Sequence, residues 1–208
     1  MRPIIVAGVL AIASAALAQS TRVVWQPPKL DVPKSLPNTH IPKAIIGNFR
    51  IGTIPITLEE TLLKDVERNL GGTIGSSGDA SEAIEWLCFH GADAHGRWAL
   101  WLENSEMSGG GKVDGFIWQR IPTEAAIDRR CRKQEVQIDM PIPLVLGLTE
   151  SEVRGILGEP TTKYRNTLIF DHLYKQTIHN ESFMVSNPVF LELRDGVLWA
   201  VQVWKIGN

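Results

Sequence analysis

The chain has 208 residues, 44% of them hydrophobic and 21% charged, with a formal net charge of −2. Balanced charge argues against nucleic-acid binding, which normally needs a basic face, and the apolar content is that of an ordinary globular protein. Seven tryptophans against two tyrosines is an unusual aromatic bias.

In chain order, the first segment is MRPIIVAGVLAIASAALAQS. One charge at Arg2, an apolar run from Ile4 to Leu17 and small residues at Ala16 and Ala18 predict a secretory signal peptide over 1–18, cut after Ala18. A membrane anchor would need about 20 apolar residues, and no later segment is apolar and long enough to span a bilayer. Residues 19–45 hold five prolines and no periodicity, so they read as an extended arm or linker. Export would place Cys88 and Cys131 in an oxidising compartment, where a disulfide is the expectation for an isolated pair. The alternative, a nucleophilic thiol, lacks a nearby histidine-plus-carboxylate signature around Cys88 in the strand-like run AIEWLCF.

Beyond the arm the chain echoes itself. Val66, Leu70 and Gly71 in LLKDVERNLGGT match Val153, Leu157 and Gly158 in TESEVRGILGEP at one constant offset. In the second copy Thr149 is an N-cap, Glu152 completes a capping box, Val153, Ile156 and Leu157 form an apolar stripe, and Gly158 and Pro160 stop the helix. A helix of about two turns is marginal alone, so it must dock its stripe on another surface. In the first copy a start near Thr61 keeps the same register. Thr57 with Glu60, followed by Leu58, Leu62, Val66 and Leu70, also permits a longer helix from Leu58.

A β-type run precedes each helix, GTIPITLE and PIPLVLGL, and three strand-like segments follow each one. The expectation is an α+β chain with a first repeat over 46–125, a linker over 126–142 and a second repeat over 143–208. Each repeat would pack a short helix on a three- to four-stranded antiparallel sheet.

The second unit, through Gly147, Thr149, Glu152, Val153, Leu157, Gly158 and Pro160, resembles the small lipoprotein subunit of the bacterial β-barrel assembly machine. Two such units in one exported chain resemble the tandem β-lactamase-inhibitory protein, which implies a concave, protein-binding sheet. The chain departs from both patterns. It has no cysteine at the expected mature N-terminus to carry a lipid, and its second repeat has no cysteine at all.

Catalytic signatures are sparse: neither GxSxG nor HExxH occurs. HGADAHG sets His90 and His95 around Asp93, which reads as a polar turn between strands rather than a metal site. The glycine-rich stretch from Gly71 to Glu82 follows a helix instead of preceding one, so it reads as a connector or partner-contacting rim, not a phosphate cradle. SGGGK reads as a hairpin tip.

Alternation in RWALWLE and PVFLELR sets Trp98, Leu100 and Leu102, with Val189, Leu191 and Leu193, toward the helices. Trp101 and Phe190, joined by Trp118 and Trp204, would then form a partner-binding face, or a second core between the repeats. The reading is an exported or periplasmic, non-enzymatic protein-binding and inhibitor-like envelope protein. It needs no cofactor and no metal, and its partner is an envelope or secreted protein. The alternatives are a hydrolase using His90 or His95 with Asp93 or Asp79, or a structural envelope-assembly factor.

Overall fold

The computed structural model describes residues 23–33, 35, 40–41, 46–79, 83–105, 110–135, 137–178 and 181–207. The expected signal peptide and the start of the arm lie outside them. The elements are β1 (Asn48–Ile51), β2 (Ile54–Thr57), α1 (Leu63–Leu70), β3 (Gly75–Ser77), β4 (Ile84–Asp93), β5 (Gly96–Ser105), β6 (Gly115–Arg120), β7 (Arg132–Lys133), β8 (Ile138–Asp139), α2 (Glu150–Leu157), β9 (Thr162–Tyr164), β10 (Thr167–Phe170), β11 (Leu173–Ile178), β12 (Glu181–Ser186), β13 (Val189–Arg194), β14 (Val197–Trp204) and β15 (Ile206–Gly207).

Strand accounts for 48% of the described residues and helix for 10%. The expected α+β chain of two tandem helix-on-sheet units is therefore corrected to a mostly β fold. Its centre is one nine-stranded sheet in the order β3-β4-β5-β6-β14-β13-β10-β9, with β7 parallel to β4. The physical reason lies at the middle of that order. The last strand of each sequence copy, β6 and β14, would be an open edge in a separate unit. Here they pair with each other from Gly115↔Trp204 to Gln119↔Ala200, so neither edge is left without partners. The echo survives as strand order, since each copy runs from the rim of the sheet to this central seam.

Other elements also differ from expectation. GTIPITLE begins in a hairpin, because Gly52 at φ 57 supplies the turn between β1 and β2. PIPLVLGL forms no strand. Pro141 and Pro143 remove ladder donors there, and Leu144 and Leu146 reach the core from turns. β12 lies in a stretch without strong alternation and pairs with β11 and β15 in a separate small sheet.

At α2 the capping box is present: Thr149 Oγ1 accepts from the Glu152 amide at 3.3 Å, and Glu152 Oε2 accepts from the Thr149 amide at 2.7 Å. α1 begins at Leu63, close to the expected Thr61. The longer helix fails because Glu59 takes φ 66 and Thr61 Oγ1 accepts the Thr57 amide at 2.9 Å. Leu63, Val66 and Val153 are buried against one face of the large sheet, so each short helix docks as its stripe requires. The hairpin β1–β2, with β8, extends this helix face, where Leu87, Leu100, Phe116, Leu191 and Val201 belong to one core.

Part of the tryptophan bias has a geometric cause. Trp86, Trp98 and Trp204 each stand opposite a glycine, in the pairs Gly75↔Trp86, Gly91↔Trp98 and Gly115↔Trp204. A Cβ at those glycines would lie 2.6, 2.4 and 2.3 Å from an indole atom, so each ring covers a bare backbone position.

The opposite face is crossed by the described part of the arm. Val24 donates its amide to Ala126 O at 2.8 Å, Trp25 O accepts the Trp101 indole N–H at 2.9 Å, Asp31 pairs with Arg165, and Ile41 donates to Asp171 O at 2.7 Å. From Val24 to Asp31 the arm is a strap running from β5 to the β9–β10 turn, while Ile41 packs against the helix-face core. Its prolines suit it to that course, because an extended proline segment needs no ladder of its own.

Candidate functional site

Strand register builds the site on the strap face. Trp86↔Glu103, Glu103↔Gly115 and Gly115↔Trp204 are successive pairs, so Trp86, Glu103, Gly115 and Trp204 form one row across β4, β5, β6 and β14. The missing side chain at Gly115 lets the Trp204 ring lean toward β5, where its Nε1–H donates to Glu103 Oε2 at 3.3 Å. Beside this row stand Ile117 and Gln202, themselves a register pair.

Above these residues lies a cavity of about 1090 Å³. Its floor includes Trp86, Glu103, Ile117 and Gln202; Pro27, Pro28 and Leu30 of the strap form one wall, and Phe183 and Val185 of β12 another. Lys29, Lys112 and Glu60, all exposed, belong to its open side. The large sheet, the strap and β12 thus border a space of the size that takes a small molecule or a long side chain.

The electrostatics of the floor are unusual. Glu103 is 4% exposed. Burial, opposed by the Trp204 hydrogen bond and reinforced by the neighbouring Asp114 charge, pushes its carboxyl up from 4.5 to about 7. Asp114, also buried, accepts from the Ser105 amide at 2.8 Å and from the Ser105 hydroxyl. Trp86 Nε1 and Gln202 Oε1 are buried and have no hydrogen-bond partner among the described residues. Such groups are rare in folded proteins, since an unsatisfied buried polar atom costs about 1–3 kcal/mol. Two residues that carry such atoms line this cavity beside a carboxyl titrating near neutrality, which makes it the candidate site.

The residues singled out from sequence fall as follows. Trp101 is 2% exposed and Phe190 2%, both on the strap face, and Trp118 is 4% exposed on the helix face, opposite Leu100. Trp204 is half-buried and lines the cavity, with Phe190 packed edge-on to it. The four therefore do not come together as one face. The strap covers Trp101, and the register puts Trp118 among the aliphatic side chains.

The Cys88–Cys131 disulfide is formed, with Cα atoms 4.5 Å apart. It fastens the segment leading into β7 beside β4, within a cluster that includes Trp25, Trp86 and Trp101. This bond fits an extracellular compartment. No helix among the described residues is long and apolar enough to cross a membrane.

His90 stands on β4 opposite Ala99, and burial, with the charges of Arg97 and Lys133, holds its imidazole below the usual range. His95 is in the β4–β5 turn, its amide donating to Asp93 Oδ1 at 2.8 Å, and the same oxygen accepts from Arg120 at 2.7 Å. Asp93 is thus committed to the turn, and Asp79 is exposed beyond β3. Among the described residues no group of three His, Cys, Asp or Glu side chains is placed to hold a metal ion.

Glu103, Gln202 and Trp86 are the residues that sequence reading missed. A signal was present in part: Glu103 and Gln202 are polar residues inside the otherwise apolar runs WALWLE and LWAVQVW. Nothing local told that they share a chamber, because the register between β5, β6 and β14 does that. No protein-family model, curated protein or solved structure matches this chain.

Proposed function

We propose that this chain is an exported, non-enzymatic binding protein of the cell envelope or its surroundings, and that the cavity on the strap face is where it binds. The observation that carries this reading is the cavity of about 1090 Å³ with unpartnered buried polar atoms on its floor. The resemblance to inhibitory and assembly proteins is compatible with it. Burial of Trp101, Trp118 and Phe190 favours an occupant that enters a chamber, a small molecule or a single protruding side chain, over a flat protein surface.

The test is titration of the disulfide-bonded protein with the neutral apolar dye N-phenyl-1-naphthylamine, read by energy transfer from the cavity tryptophans. Saturable one-to-one binding, lost in Val185→Trp and weakened in the milder Phe183→Trp, is the expected result. Dye binding unchanged in both variants, with their near-ultraviolet circular dichroism intact, would overturn the cavity as the site.

A further inference from the structure

Resting on the cavity reading, we infer that the Cys88–Cys131 bond arms the binding site from outside it: oxidation of the two thiols fixes the strap that walls the cavity, so the disulfide-bonded form is the tight-binding one. Neither cysteine lines the cavity, and the coupling runs through the N-terminal anchor of the strap.

That anchor is the segment just before Cys131. Val24 donates its amide to Ala126 O at 2.8 Å, Val24 O accepts from the Asp128 amide at 3.1 Å, and the Arg130 guanidinium stands 4.2 Å over the Trp25 ring. The segment ends at Cys131, which is bonded to Cys88 on β4. Cys88 is the register partner of Trp101, whose indole N–H holds Trp25 O at 2.9 Å. Bond, indole and strap thus meet in one buried cluster. Before the segment, Arg97 donates to the carbonyls of Pro122 at 3.3 Å and Ala125 at 3.2 Å; after it, β7 pairs with β4 over two residues whose side chains are exposed. Between these ends, residues 126–130 are held by the strap itself, by Ile127 packed on the cluster and by the covalent bond.

The wall of the cavity follows directly from Trp25. Gln26, Pro27, Pro28, Lys29 and Leu30 all line it, and among the described residues no hydrogen bond joins 26–30 to the sheet. The two prolines have no N–H to offer. At the far end Asp31 pairs with Arg165, both exposed, and accepts the Thr167 hydroxyl at 3.5 Å. An ion pair so exposed contributes little, so the place of the wall is set from the Trp25 end.

In the arming step one thiolate attacks the sulfur–sulfur bond of a disulfide-bearing oxidant, and the second thiolate displaces the mixed intermediate. Two electrons pass to the oxidant, whose two sulfurs leave as thiols with the two protons. In a reducing compartment the chain would keep its thiols and a loosely held strap; after export the bond closes the anchor. Cys88 and Cys131 are both buried, which shields the finished bond from further exchange and makes the step one of maturation.

The experiment titrates N-phenyl-1-naphthylamine into the oxidised wild type, Cys88→Ala/Cys131→Ala, Val24→Pro with the bond intact, and the triple variant. Near-ultraviolet circular dichroism and melting curves confirm the fold of each. If the strap without the bond keeps its place about a tenth of the time, apparent affinity falls about tenfold. Val24→Pro, which removes the amide donated to Ala126, is expected to weaken binding in the bonded protein and to add nothing once the bond is gone, since both changes act along one path. Leu191→Ala on the helix face should lower stability yet keep wild-type affinity, which separates the effect from a general loss of stability. Unchanged affinity in the folded bond-free variant, or additive effects of the two changes, would overturn the coupling while leaving the cavity a binding site. Should the bond-free chain not fold, Val24→Pro alone decides, and unchanged affinity there would overturn the coupling as well. Failure of the oxidised wild type to bind the dye would overturn the cavity reading itself.

Discussion

The two faces of the large sheet are built from the same strands, yet they do different work. On the helix face, Leu87, Leu100, Phe116, Leu191 and Val201 meet α1, α2 and the β1–β2–β8 sheet in a closed core. On the strap face, the half around Trp25, Trp101 and the disulfide is equally closed, while the adjoining part opens into the cavity over Glu103 and Gln202. The lesson is that alternation makes both faces apolar, but what lies across from each face decides whether it becomes core or site. A helix with an apolar stripe fills its face. A proline-rich strap and the small β11–β12–β15 sheet span theirs and leave room beneath.

The sharpest way to break the closed half of the strap face is to remove its covalent tie. The disulfide closes a separation of 43 residues, and in the chain-entropy model its loss costs about 4 kcal/mol. Denaturant unfolding of the Cys88→Ala/Cys131→Ala variant is expected to show an unfolding free energy lower by that amount, read as a lower midpoint. An unchanged midpoint would mean that packing in the Trp25–Trp101 cluster alone holds the segment before β7.

The open half should instead reveal itself through pH. An ordinary carboxyl near 4.5 in the unfolded chain has released its proton over a range where folded Glu103, at about 7, still holds it. The folded state therefore binds more protons between these values. Its stability falls as pH rises from about 4.5 to 7 and levels above, by roughly 3 kcal/mol in total from this group. Melting curves of the wild type against Glu103→Gln should diverge over that window, with the variant the more stable at pH 8. Parallel curves would show that Glu103 ionises freely and is not desolvated.

Truncations on the two faces should differ by about 2 kcal/mol. Leu191→Ala on the closed face leaves a void among buried side chains and is expected to cost about 3 kcal/mol, whereas Phe183→Ala on the cavity wall, half-buried beside existing space, costs about 1 kcal/mol. Equal losses in thermal unfolding would mean the cavity wall is packed as tightly as the core. An effect as small as that of Phe183→Ala belongs to a helix end. Thr149→Ala removes the oxygen that accepts the Glu152 amide and should lower stability by about 1 kcal/mol without touching the cavity.

The sequence by itself determined local things about this protein. Thr149, Glu152 and Gly158 bound a two-turn helix because caps act within one turn of chain, and alternation in RWALWLE marked a strand because side-chain direction reverses at each residue. The expected bond between Cys88 and Cys131 could be named because only two cysteines occur.

What only the tertiary structure decided is everything set by long-range pairing. The β6–β14 register joined two sequence copies into one sheet and overturned the two-unit α+β reading. It also sent Trp118 to the helix face. The passage of the strap over Trp101 buried a ring that alternation alone would have left open. Glu103, Gln202 and Trp86 became a site because strands distant in sequence brought them to one floor, and strand pairing is chosen by complementary edges and faces over the whole sheet, which no local stretch of the chain contains.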